Sequence, residues 1–103
     1  MLRKGLILST VLVSSLVVAD DSAEVKALKK DMPQDVAVII DRTVECNYWG
    51  GQESTNKARA EEINKAMTRL QCNSIEQDQV KIAKVYQNNY EVKQRIQKAQ
   101  EIF

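Results

Sequence analysis

Histidine is absent from this chain of 103 residues. That absence removes Ser-His-Asp and Cys-His catalysis and every imidazole metal ligand at once. Only two cysteines are present, and without a histidine partner they make a zinc site improbable. Proline occurs once and glycine three times, and neither Gly-x-Ser-x-Gly nor a glycine-rich phosphate loop can be found. Neither sign of charge dominates: 15 basic residues face 14 acidic ones. A balanced surface carries no electrostatic footprint for DNA, RNA or anionic lipid. There are no internal repeats and no low-complexity tract.

One long apolar run exists, at the start. Arg3 and Lys4 precede an apolar stretch from Gly5 to Val18, and Val17-Val18-Ala19 places small or modest side chains before Asp20. This is the layout of a cleavable secretory signal over residues 1–19. The stretch is shorter than the roughly 20 residues a membrane span needs, so no stable insertion is expected once the signal is removed. Loss of Arg3 and Lys4 takes the basic count from 15 to 13 against 14 acidic residues, a formal charge of −1.

In an exported chain an even cysteine count favours pairing. Cys46 and Cys72 would close a loop of roughly 27 residues, worth roughly 3–4 kcal/mol by chain entropy. Free buried thiols, or pairing with another chain, are the alternatives. Their separation is nothing like a redox Cys-x-x-Cys.

The rest of the chain reads as helical. Residues 20–32 are charged with a weak stripe of Val25, Leu28 and Met32, and read as a flexible or weakly helical arm. Residues 33–103 read as a single domain. Pro33 suits a first helical position, and Asp31 and Asp35 suit the positive end of a helix. Val36, Ile39, Ile40 and Val44 then recur at helical spacing, although Val36-Ala37-Val38-Ile39-Ile40 is also a strand-like run. Gly50-Gly51 ends the element. Ser54, Thr55 or Asn56 can cap a second helix with Ala60, Ile63, Met67 and Leu70 on one face. Ser74 followed by Gln77 matches a capping box opening a third, with Ile75, Gln79, Ile82 and Tyr86 inward. Asn88-Asn89 can cap a fourth, carrying Val92, Ile96 and Ala99; one bent helix over 75–101 remains the alternative. The expected fold is all-α, a small bundle of three to four short helices with one disulfide.

The segment richest in chemistry is Asp41 to Glu53, DRTVECNYWGGQE. Aromatics at a helix end beside a polar glycine turn are common interface anchors. Asp41, Glu45, Tyr48, Trp49 and Glu53 are therefore the candidate partner surface. The competing reading makes Trp49 a cover for one end of a small core. Asp41 and Glu45, one helical turn apart, recur in most soluble helices, and no calcium-loop pattern accompanies them. Catalytic, metal and cofactor residues are accordingly assigned none. Ile102 and Phe103 can dock into the core or seat in a partner groove.

The run Glu45-Cys46-Asn47-Tyr48-Trp49-Gly50-Gly51-Gln52-Glu53, preceded by Ile40-Asp41-Arg42 and followed by Leu70-Gln71-Cys72, resembles a family of small exported two-cysteine proteins of Gram-negative bacteria. Their segment reads acidic-Cys-x-(His/Tyr)-aromatic-x-Gly-(Glu/Gln)-Glu, and Tyr86 and Tyr90 here match a Tyr-containing helical tail. The resemblance covers about residues 33 to 100. It implies a periplasmic location, or secretion, and supports the disulfide; it implies no reaction. Where many relatives have His this chain has Tyr48, which weakens any metal or catalytic role carried over. The expected function is a non-enzymatic binding or accessory protein of the cell envelope with a protein partner. The alternatives are an inhibitor or immunity protein against an envelope-targeting toxin, and a structural or stress-related envelope protein.

Overall fold

The computed structural model describes residues 22–103. The signal read in residues 1–19 lies outside them. Five α-helices are described: α1 (Ala23–Lys29), α2 (Gln34–Gly50), α3 (Lys57–Arg69), α4 (Ile75–Val85) and α5 (Tyr90–Gln100), with a 3₁₀ turn at Cys72–Ser74. The extra helix beyond the expected three or four is α1. Residues 20–32 read as a flexible or weakly helical arm because the segment is charged and its stripe of Val25, Leu28 and Met32 is weak, with Val25 and Leu28 the two members that fall within α1. Both are used: Val25 is 3% and Leu28 8% exposed, and both belong to the main core. Ser22 caps the helix by accepting from the Val25 N–H. Among the described residues, the packed helices thus include Ala23–Lys29, ahead of Pro33.

The strand-like run of α2 is helical. Val36, Ile39, Ile40, Thr43 and Val44 share one buried face, while Val38 points outward. Burial of that stripe outweighs β-propensity. Pro33 stands one residue earlier than expected, as the cap, and its carbonyl accepts from Ala37 N–H at 2.9 Å. Gly51 follows the helix at φ −93°, so the chain stops there without the left-handed turn that glycine usually supplies. Instead its N–H donates to the Asn47 and Tyr48 carbonyls. Among the described residues, positive φ occurs at Asp31, after α1, at Gln71, after α3, and at Phe103.

Asn56 and Asn89 cap α3 and α5, accepting from Arg59 N–H at 2.8 Å and Val92 N–H at 3.1 Å. Asn89 thus separates two helices, and the single bent helix is not formed. The Ser74–Gln77 capping box is absent. The 3₁₀ turn runs straight into α4, leaving Ser74 at ψ 9° instead of the extended backbone a cap needs. Its hydroxyl lies within hydrogen-bond distance of the Gln71 carbonyl and of Asp78 Oδ2.

Helix α2 is the hub, packing against the other four helices, and α1 also meets α5. One core cluster joins Val25 and Leu28 to Val36, Ile39, Ile40 and Val44 and to Val92, Ile96 and Ala99, with Ile75, Ile82, Tyr86 and Ile102 around it. α3 contributes nothing to this cluster: its buried Ile63 and Ala66 lie outside it. The domain is a four-helix core with α3 as a satellite on α2.

Polar ties lock the corners. Arg95 Nη1 donates to the Ala27, Leu28 and Lys30 carbonyls at 3.1, 2.8 and 3.2 Å, closing the C-terminal end of α1 with a cation. Gln79 bridges two helices, donating to the buried Thr43 hydroxyl and accepting from Gln100.

Candidate functional site

The last turn of α2 gathers three of the five aromatic residues. Tyr48 meets Trp49 edge-on at 5.3 Å between ring centroids, and Phe103 at 5.4 Å on a tilted approach. Phe103 reaches this place because Asn47 Nδ2 donates to the Gln100 and Ile102 carbonyls, tying the chain after α5 to the end of α2. Ile102 packs on the core, whereas Phe103 is 79% exposed. The two residues expected to share one fate divide between core and surface. Tyr48 is 38% exposed and Trp49 half-buried.

A basic group from α3 completes the surface. The Arg59 guanidinium lies 5.3 Å from the Trp49 ring centroid, a cation–π arrangement. It donates to Glu62 Oε1 at 2.7 Å and to Gln52 Oε1 at 3.0 Å. The Glu62 hydrogen bond is the main cause that holds Arg59 above its ordinary pKa, with Tyr48 adding to it.

The five residues read from the sequence do not form one group. Tyr48 and Trp49 are together. Asp41 is turned to α1, where Lys29 Nζ reaches both of its carboxylate oxygens at 3.1 Å. Glu45 is half-buried on α2 between them, and Glu53 is exposed in the turn that follows. Arg59, Gln52 and Phe103 belong to the surface and were not among the candidates. Gln52 is joined locally, its backbone N–H donating to the Trp49 carbonyl and its side chain to the Tyr48 carbonyl, whereas only the return of α3 and the fixed end of α5 bring Arg59 and Phe103 near.

Cys46 and Cys72 form a disulfide with their Cα atoms 5.6 Å apart. Beside it Arg42 ties the chain after α3 to α2, donating from Nε to the Leu70 carbonyl at 2.9 Å and from Nη2 to the Gln71 carbonyl at 3.1 Å. Nη2 also pairs with Asp78 at 3.0 Å. The seam between α2 and α4 is a groove of ≈ 370 Å³ with Val38, Ile39 and Ile82 as its apolar wall. The Arg42–Asp78 pair lies in it, and the Tyr86 hydroxyl donates to Asp35 there at 2.9 Å.

Hydrogen bonds from Arg42 and then Ser74 hold the Asp78 carboxyl below its ordinary value. The folded state therefore favours the carboxylate more than the unfolded chain does. Its contribution is full above the ordinary value of about 4 and is lost as pH falls through the lower folded value. Asp78→Asn is expected to lower the urea midpoint at neutral pH and to flatten its decline below pH about 4. An unchanged pH profile would mean that the pair adds nothing.

Among the described residues, no group of three or more cysteines, aspartates or glutamates is placed to hold a metal ion. No described helix is long and apolar enough to cross a membrane. No protein-family model, curated protein sequence or solved structure matches the chain.

Proposed function

We propose that this chain is an exported, non-enzymatic binding protein of the cell envelope, and that it meets a protein partner through Tyr48, Trp49 and Phe103. The observation that carries this reading is the Tyr48–Phe103 pair, two exposed aromatic residues at the end of α2, where Asn47 ties the chain after α5. Aromatic side chains with a polar rim are the usual anchors of protein interfaces, because they bury large area at low entropy cost. Here Arg59 and Gln52 supply the rim. The disulfide fits an oxidising compartment, and the signal layout and the family resemblance point to the periplasm. A structural envelope protein without a tight partner expects a buried Trp49 and no open aromatic patch. The half-buried Trp49 and open Phe103 weigh against it.

The paired substitution Tyr48→Ala/Phe103→Ala tests the surface. Neither side chain belongs to the core, and the ring contacts of Tyr48 limit the loss of stability to about 1–2 kcal/mol. Capture of the partner from envelope extract by the oxidised protein should fall about 30-fold or more, the effect of losing roughly 2 kcal/mol of anchoring. Equal capture by parent and variant would reject this surface.

A further inference from the structure

The Cys46–Cys72 bond sits where the satellite helix is attached. From Gly50 the chain makes an excursion through α3 and returns to α2 at Cys72, so the bond closes the base of that excursion. Arg42 holds the Leu70 and Gln71 carbonyls at the same base, and Arg59 lies over Trp49 farther out. Ile63 and Ala66 are the buried residues of α3, and neither belongs to the core formed by α1, α2 and α5. A helix of 13 residues with so little apolar burial does not hold its shape when detached. We propose that the disulfide is a redox latch: its reduction releases α3 from α2 and uncovers Trp49 while the four-helix core stays folded. The effect of release on partner binding rests on the function proposed above; the release itself does not.

The two sulphurs differ in access. Both cysteines line surface pockets, Cys46 with Thr43 and Asn47 and Cys72 with Met67 and Asn73, but Cys46 is buried, at 7% exposure, whereas Cys72 is half-buried. An incoming thiolate therefore attacks Cys72 Sγ. A new S–S bond forms there as the Cys72–Cys46 bond breaks, and Cys46 leaves as a thiolate that takes up a proton. The second thiol of the donor then attacks the mixed disulfide and releases Cys72 as a thiol. The donor, a dithiol of the thiol–disulfide oxidoreductase class, ends as a disulfide. Two electrons and two protons have passed to the protein.

Trp49 is the chain's single tryptophan, so its fluorescence reports this end alone. The test compares the oxidised protein with the same protein in dithiothreitol, and with Cys46→Ser/Cys72→Ser as a variant that needs no reductant. Acrylamide quenching of Trp49 is expected to rise about twofold or more, and amides of residues 57–69 to exchange about 100-fold faster, while residues 36–44 and 92–99 keep their protection. Loss of protection in all helices together would make the bond a global staple and overturn the latch. Unchanged exchange in 57–69 after complete reduction would overturn it equally. If α3 is released but capture of the partner is unaltered, the latch stands and the binding surface proposed above fails.

Discussion

Ile40→Ala should lower the unfolding free energy by about 3–4 kcal/mol, whereas Ile63→Ala should cost about 2 kcal/mol or less. Both remove the same atoms. The difference comes from where those atoms sit. Ile40 is fully buried in α2, the helix against which all the others pack, and it belongs to the cluster shared with α1 and α5. A cavity there cannot be filled without moving several elements, so the transfer and cavity costs are both felt. Ile63 is 8% exposed and lies outside that cluster, on a helix able to settle toward α2. Urea unfolding with unchanged m-values reads the two numbers directly. Equal losses at the two positions would mean that α3 is as integral to the core as α2.

Arg42→Ala is expected to cost about 2–3 kcal/mol with the disulfide intact. The side chain serves three acceptors: the Leu70 and Gln71 carbonyls and the Asp78 carboxylate. Its side chain is only 19% exposed, so water replaces those bonds incompletely. Arg42→Lys should recover little, because an ammonium cannot span acceptors in fork geometry as a guanidinium does. The loss should appear as faster amide exchange around residues 69–78, the stretch that Arg42 holds. A thermal midpoint unmoved by either substitution would show that the disulfide alone fixes this junction.

Much of the local structure was legible because helices announce themselves by period and by caps. Asn56 and Asn89 stand where the polar caps were expected, and the stripe from Val36 to Val44 overcame its strand-like composition. The two cysteines pair as their even number suggested. What escaped the sequence is non-local. α1 has two buried side chains, and the residue that closes its C-terminal end, Arg95, lies 65 or more positions downstream. A two-turn helix so held looks like an arm until its partner is known. Ser74 and Gln77 satisfy the pattern of a capping box, yet the 3₁₀ turn before them takes the backbone geometry the box requires.

The candidate surface was half legible for the same reason. Tyr48 and Trp49 stood out by residue type and place. Phe103 and Arg59 join them through the fold alone, one from the end of α5 and one from α3. Asp41 was grouped with them by helical spacing, which correctly describes one face of α2 but cannot tell that α1 covers its upper part. Lys29 occupies Asp41 in consequence.

Site-specific photocrosslinking in the intact envelope tests the binding surface most directly. A benzoyl-phenylalanine would be placed at Phe103 and, as a control, at Val85. Val85 is 70% exposed, and its neighbour Tyr86 bonds to Asp35 at the opposite end of α2, about 20 Å along the helix from Tyr48. A single protein adduct of defined mass from position 103, with none from position 85, is the predicted result. Adducts of the same kind and yield from both positions, or none from position 103, would contradict a partner seated on the aromatic end of α2.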